Sequence, residues 1–467
     1  MPIIAKERLL KLLREVPENY YELVDFFLDG DISIEDKNIK SKSFLLRELD
    51  KVNMENLQFP SLDQLRTWFE KENKVTREAY QNYLGMRKEG GKRQYFTNTG
   101  QAFEFLTKIA PLKQVDGAWL YSAVNYWNNE DLHDLIVIYL EELGTGKATA
   151  NHVCLYHHLL KGLGLDEWNL YLEDEYYQQA AIQLALGYAP TEFLPEIMGY
   201  NLEYEQLPLH LLITNFELAE LGMDSSYFNL HITIDNLDNG HADRSIKMVE
   251  KFASKYKDQE SFYQKLKQGY ALNQLGIGST QIIRELNLNN FVHKILKKKA
   301  VTGLLIHNNK CIFHYKTVNE WLSSPEQVEL FIEYLAESEW IKFGSDPEES
   351  RFWRLIHSES GRMFGVFNLA ERQIIYDWIR GDFPSRFRTL SHQHTAHHLH
   401  EMSTFSFDYF SQLEHDKRQS IINHSPDISC KMAQLIPYLA PHAHHQKMGL
   451  WSTQVYTTLL FPHLIQL

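Results

Sequence analysis

Glycine residues divide the middle of this sequence into segments of helical periodicity. Between about residues 95 and 300, apolar side chains recur at helical spacings, and few stretches show the alternation typical of strands. The helix-stop positions in this region are Gly144, Gly162, Gly164, Gly187, Gly199 and Gly222. The pattern predicts a mainly α protein built around a helix bundle.

The regions on either side of the bundle have their own patterns. Residues 1–94 read as amphipathic helices that end at a solvated loop, Arg87–Arg93, which has no apolar residue to bury. Residues 301–467 read as a C-terminal α(+β) domain of unknown role, with a short strand predicted at 301–306. We therefore divide the chain into an N-terminal helical region, a bundle at 95–300 and a C-terminal domain.

Charge and cysteine content narrow the class of protein. The chain has 467 residues, enough for more than one core, and a net charge of −14. That charge disfavours nucleic acid or an anionic membrane as the main partner, so we expect a small-molecule substrate. Three widely spaced cysteines give no disulfide framework, and neither a signal peptide nor a membrane span is evident. We expect a soluble, cytoplasmic protein.

The segment 227–245 carries acids and histidines at helical spacing. On a helix that turns about 100° per residue, His231, Asp235 and Asp238 share a face about 60° wide. Two carboxylates and an imidazole on one face of an apolar bundle call for a compensating cation. The alternative is a solvated acidic face with incidental histidines.

His241 lies too far along a straight helix to share a compact site with His231, since about 15 Å of axis separates them. One solution is a helix distortion at Asn239-Gly240, which makes His241 a ligand. The other is a regular helix, in which Asp238 completes the set and His241 lies behind it. The spacing alone leaves both open.

A second candidate pair lies in the segment 139–165. Gly144 and Gly146 should end one helix just after Glu142, and Thr149 or Asn151 can cap the next helix before His152. A helix break between Glu142 and His152 would let the two side chains converge.

The segment 193–209 supplies a third set of acids. Glu196, Glu203 and Glu205 lie among aromatic and apolar residues, where a carboxylate is out of place without a counter-ion. Each could equally lie at the polar edge of an amphipathic helix. Glu205 is our first choice as a ligand and Glu196 our second.

Carboxylates and histidines from several helices of one bundle indicate a centre of two iron ions, with manganese as the alternative metal. Zinc fits less well, because structural zinc sites favour thiolates and fewer carboxylates.

At this point the sequence resembles the haem-oxygenase-like di-iron oxidases, also called iron-containing redox enzymes. That family uses a haem-oxygenase-like helical bundle that binds two irons through Glu and His from one core helix, Glu from the next, and a His-x-x-x-Asp-x-x-His run from a third. The matching positions here are Glu142 with His152, Glu205, and His231 with Asp235. The stretches APLKQVDGAWL (110–120) and LPEIMGYNLEYE (194–205) are also similar to the family.

The third motif departs from the family at its end. Asp238 stands where the family has its last histidine, and His241 follows three residues later. We favour His241 as the ligand, because imidazole is the family's choice and Gly240 is a poor helix former whose presence suggests a helix irregularity.

The resemblance implies a function as well as a fold. Two Fe²⁺ ions would activate O2 to oxidise a small organic substrate, by N-oxygenation of an amine or amino-acid derivative or by C–H or C–C oxidation. The resemblance leaves open whether the protein uses an external electron donor and whether it forms a homodimer. Two alternatives also stay open, a haem-binding or haem-degrading protein on the same fold and a non-catalytic helical interaction protein.

Overall fold

The computed structural model describes residues 19–234, 240–304, 307, 310–384, 412–423, 425 and 427–466. In this part of the chain the regular structure is helical, apart from one antiparallel hairpin of β1 (Ile312–Phe313) and β2 (Lys316–Thr317). The prediction of a mainly α fold is confirmed. The sequence also has a histidine-dense stretch at 394–400, a weaker candidate for a metal site, which lies outside the described residues.

The helices follow the three regions in chain order. The N-terminal helices are α1 (Tyr20–Leu28), α2 (Ile34–Leu49) and α3 (Leu65–Lys88). The central helices are α4 (Thr99–Lys113), α5 (His133–Glu142), α6 (His152–Leu163), α7 (Gln178–Gly187), α8 (Leu194–Tyr204), α9 (Leu209–Glu220), α10 (Ser226–Ile234), α11 (His241–Lys255), α12 (Gln259–Ala271), α13 (Ser279–Arg284) and α14 (Leu288–Gly303). The later helices are α15 (Val318–Leu322), α16 (Val328–Glu337), α17 (Arg351–His357), α18 (Leu369–Arg380), α19 (Gln412–Asn423), α20 (Ile428–Leu435) and α21 (Lys447–Leu460).

Two glycines set the closest helix pair of the bundle. Gly199 on α8 lies against the backbone of α12 at Leu266, and Gly269 on α12 lies against the backbone of α8 at Glu196. A side chain at either position would meet that backbone, so the two helices can approach this closely only through glycine. This contact fixes α8, at whose end Glu205 lies.

The apolar core has two clusters, and each joins the bundle to a flanking region. The first contains Leu23 and Phe44 of the N-terminal helices, Ile138 of the bundle, and Leu435 and Tyr456 near the C-terminus. The second joins bundle residues to the C-terminal region; examples are Phe103, Tyr156 and Val292 of the bundle and Trp321 and Trp378 of that region. The flanking regions thus pack on the bundle, while the division of the chain into domains stays a prediction.

The strand predicted at 301–306 is wrong for the residues that the structure describes. Val301, Thr302 and Gly303 are the last residues of α14. The β-branched side chains of Val301 and Thr302 favour a strand locally, but α14 is already nucleated and anchored through Phe291 and Ile295, so the helix continues. The described helices include none with the length and apolar character needed to cross a membrane.

Candidate metal centre

A break between α5 and α6 brings Glu142 and His152 together. Glu142 is the last residue of α5 and His152 the first of α6. Between them Gly144, Thr145 and Gly146 all have positive φ angles, which reverse the chain. His152 Nδ1 lies 2.5 Å from Glu142 Oε2, and both side chains are buried. The convergence expected from the glycine pair is present.

Asp116 joins this pair from the loop that follows α4. Its Oδ2 atom lies 3.1 Å from His231 Nε2 and 3.7 Å from His152 Nδ1. Asp116, Glu142, His152 and His231 offer one ligand atom each, and these four atoms lie within 4.8 Å of one another. They form what we call the first group.

The second group uses the other side of Glu142. His241 Nδ1 lies 3.4 Å from Glu142 Oε1 and 3.1 Å from Glu205 Oε2. The ligand atoms of Glu142, Glu205 and His241 again lie within 4.8 Å of one another, and all three residues are buried. Glu142 therefore faces the first group through Oε2 and the second through Oε1.

The hydrogen bonds of two histidines show that a cation fits between these ligand atoms. His231 Nδ1 lies 2.9 Å from the backbone oxygen of Tyr227, which can only accept, so Nδ1 carries the proton. The Nε2 atom of a neutral His231 then turns a lone pair towards the Asp116 carboxylate. Two acceptors facing each other across 3.1 Å require a proton or a metal ion between them.

His241 repeats this arrangement in the second group. Both of its ring nitrogens face carboxylates: Nε2 lies 2.9 Å from Glu141 Oε2, and Nδ1 is directed at Glu205 and Glu142. When Nε2 donates to Glu141, the outer carboxylate holds the ring and Nδ1 points at the acids of the second group, which is the usual form of a metal-ligating imidazole. Both groups pass this test of fit.

The electrostatics of the first group favour positive charge. Although burial opposes it, the contacts with Glu142 and Asp116 raise the pKa of His152 to about 10. Burial also works against ionisation of Asp116, but Lys113 together with His152 and His231 holds the pKa of Asp116 well below its usual range. The Asp116 carboxylate thus stays ionised and attracts a cation, whether a proton or a metal.

Hydroxyl groups hold Asp116 in place. Tyr204 donates to Oδ1 at 2.7 Å and Tyr227 donates to Oδ2. Lys113 Nζ donates in turn to the Tyr204 hydroxyl at 2.9 Å. The Asp116 carboxylate is therefore oriented by two phenols before any ion binds.

Sequence reasoning missed Asp116. The stretch 110–120 was singled out for its likeness to the family, but an Asp before a Gly also reads as a turn. The sequence signal that could have pointed to Asp116 is the glycine that follows it. In the structure Gly117 has φ of 81°, and a Cβ at this position would lie only 2.9 Å from Glu142 Cβ. Gly117 allows the Asp116 loop to approach Glu142 closely.

The other residues predicted as metal ligands are in neither of the two groups. Glu196 is buried on α8 but belongs to neither group; its oxygen lies 3.6 Å from Lys265 Nζ, and burial raises its pKa to about 7. Asp235 and Asp238 lie outside the described residues. Gly240 has an extended conformation and α11 starts at His241, so the regular-helix alternative fails at Gly240. The assignments of Glu196, Asp235 and Asp238 as metal ligands stay predictions.

Comparison with known proteins supports the resemblance. Residues 103–274 match the family model described as iron-containing redox enzyme, and every residue of the two groups lies in that stretch. The resemblance and the haem-oxygenase-like fold that it implied are confirmed. No curated protein and no solved structure matches the chain.

Proposed function

We propose, from the premise that residues 103–274 belong to the iron-containing redox enzymes, that this protein is a non-haem di-iron oxidoreductase. It would use dioxygen to oxidise a small organic substrate. The family supports the oxidoreductase class, and the two iron ions, the dioxygen and the substrate are our proposal.

The sharing of Glu142 carries the proposal. One carboxylate oxygen faces His152 and the other faces His241, as expected for a carboxylate that bridges two cations. The ligand atoms are carboxylate oxygens and imidazole nitrogens, without thiolate, and this set suits iron or manganese better than structural zinc.

Each residue has a definable task in this centre. When bound, a pair of ferrous ions supplies electrons to dioxygen. Glu141 fixes the ring of His241, and the Tyr227 carbonyl fixes the ring of His231. Because His152 and Asp116 are 0% and 1% exposed, the first group keeps bulk water away from the reacting atoms.

We propose an amine or amino-acid derivative as substrate, because the net charge of −14 favours cationic partners. Insertion of one oxygen atom of O2 into a substrate, with the other released as water, consumes two further electrons. An external electron donor is therefore part of the proposal. The cytoplasmic location and an assembly of two chains stay predictions.

The alternatives are less well supported by the same geometry. A haem protein needs an imidazole nitrogen open to the porphyrin iron, but His152, His231 and His241 each face a buried carboxylate. An interaction protein would place the acids in solvent, whereas Glu142 and Glu205 are 3% and 2% exposed.

Anaerobic titration with Fe(II), followed by metal analysis of the desalted protein, tests the proposal. We expect close to two irons per chain and a transient visible absorbance when air is admitted. One tightly bound zinc ion, or iron at a single site, would overturn it.

A further inference from the structure

The C-terminal segment 435–460 packs on the helix that carries Glu142. Tyr139, three residues before Glu142 on α5, donates its hydroxyl to the backbone oxygen of Leu439 at 2.5 Å. Tyr456 of α21 donates to the backbone oxygen of Val124 at 2.9 Å. The end of the chain is therefore anchored beside the candidate metal centre.

The same segment contacts the loop that joins Glu142 to His152. Gly146 of this loop lies so close to α21 that an added Cβ would be 2.5 Å from the backbone oxygen of Leu450. Cys154, on the first turn of α6, donates its thiol to the backbone oxygen of His445 at 3.5 Å. Backbone meets backbone along this interface, which leaves little room for the loop to move.

His444 reaches further into this interface than its neighbours. Its ring is 2% exposed, and its Nδ1 atom lies 3.0 Å from the side-chain nitrogen of Asn151. The Asn151 oxygen accepts from the backbone N–H of Cys154 at 3.0 Å, so the nitrogen is the atom directed at His444. An amide nitrogen only donates, and His444 Nδ1 therefore accepts.

Asn151 ties together both ends of the loop between the two ligands. Its nitrogen also donates to the backbone oxygen of Leu143 at 3.3 Å, and Leu143 pairs with Asn151 in a β-bridge. Leu143 follows Glu142 and Asn151 precedes His152. An amide held by His444 therefore sets the distance between these two ligands.

We propose that His444 is a positioning residue of the metal centre, which fixes Glu142 and His152 through Asn151. This inference rests on the proposed function, because it assumes that the two residues bind a metal. It gives the histidine-dense PHAHHQ stretch (441–446) a role: the C-terminal segment completes the first group without supplying a ligand to it.

Anaerobic Fe(II) titration against a competing chelator tests this role. His444→Leu removes the acceptor, and we expect the iron affinity of the first group, which contains both positioned residues, to fall by about 10–100-fold, with a smaller loss in the second group, which shares Glu142. His444→Asn retains an acceptor near the Nδ1 position and should restore most of that affinity. His442→Leu, the same change two residues away, should bind as wild type.

Two further variants separate positioning from folding. Asn151→Ser keeps an oxygen that can cap α6 but loses the nitrogen that reaches His444, so its iron affinity should fall as in His444→Leu. In a His152→Ala background, which lacks the first iron, His444→Leu should cause only the smaller loss at the second group, because its larger effect acts through the first group. Thermal unfolding of the metal-free variants records any general destabilisation.

The outcomes distinguish this inference from the proposed function. Wild-type protein that binds fewer than two irons would defeat the proposed function. Wild-type protein that binds two, with His444→Leu and Asn151→Ser both at wild-type affinity, would overturn only the role of His444. Equal weakening by His444→Leu and His442→Leu would overturn it as well, because the effect would then be one of general packing.

Discussion

The two groups of the candidate metal centre both use helix-end residues but differ in the side chains that each adds. In the first group, His231 lies within a helix and Asp116 in a loop. In the second, Glu205 follows the end of α8 and His241 begins α11. Glu142, at the end of α5, serves both. A ligand at a helix end can be aimed by capping and turn geometry, whereas Asp116 depends on tertiary contacts alone.

The first group also has more support than the second among the described residues. It has four ligand atoms, with Lys113 and two phenols around Asp116. The second has three candidate ligand atoms among the described residues. We therefore expect the first iron to bind at the first group.

Removal of the shared ligand should have the largest effect. Glu142→Ala takes one ligand atom from each group and leaves the buried histidines without their bridging acid, so we expect neither iron to be retained after desalting. Glu196→Ala removes another buried glutamate that lies outside both groups, and this variant should keep two irons. If Glu142→Ala retained one iron, the two groups would not share that residue.

Removal of one histidine from either group should cost one iron. We expect His231→Ala to empty the first group and His241→Ala the second, each leaving about one iron per chain by metal analysis. Asp238→Ala should keep two irons if His241 is the last ligand, as we favour. Loss of iron in Asp238→Ala with full retention in His241→Ala would reverse that assignment.

A side chain at Gly117 should disturb both groups, but less severely than the removal of a candidate ligand. Gly117→Ala places a Cβ against Glu142 and adds backbone strain of about 1–2 kcal/mol at positive φ. We expect a lower unfolding temperature and weaker binding of both irons. Gly90→Ala has the same kind of strain, with φ of 87° and no atom within 4 Å of the added Cβ. It should lower the unfolding temperature without affecting iron affinity; equal iron affinities in the two variants would contradict the contact with Glu142.

Removal of the Glu141 carboxylate, which contacts His241, should have the smallest effect, and this effect should be confined to the second group. Glu141→Ala leaves His241 Nε2 without its acceptor, and the second iron affinity should fall by about 10–100-fold. Glu141→Gln keeps an oxygen that can accept and should lose less. A change in the affinity of the first iron in either variant would show that the groups are not separable in this way.

The candidate ligands at helix ends are the ones that the sequence could predict. The helix break at Gly144-Gly146 indicated that Glu142 and His152 converge, and Gly240 indicated an irregularity before His241, because glycine and capping signals are local. The apolar surroundings of Glu205 and Glu196 in the sequence did not separate the two residues, and the structure places only Glu205 beside Glu142.

The features that could not be predicted from the sequence depend on contacts between residues far apart in the chain. Asp116 had no periodic partner and no neighbouring ligand in the sequence, and its role depends on residues 88 and 111 positions away, as the bonds from Tyr204 and Tyr227 show. The strand predicted at 301–306 failed for a similar reason, because packing of α14 decided the conformation of its last turn. Spacing finds ligands on one element and misses those assembled by the fold.

Spectroscopy of the iron-loaded protein tests most directly the claim that the two groups form one centre. Protein loaded anaerobically with two equivalents of Fe(II) and then oxidised in air should contain two ferric ions close enough to couple magnetically, as two ions held by Glu142 would be. We expect Mössbauer spectra of a single diamagnetic pair at low temperature and no high-spin ferric signal in electron paramagnetic resonance. Two independent, paramagnetic ferric ions would contradict the shared carboxylate, and with it the account of the site.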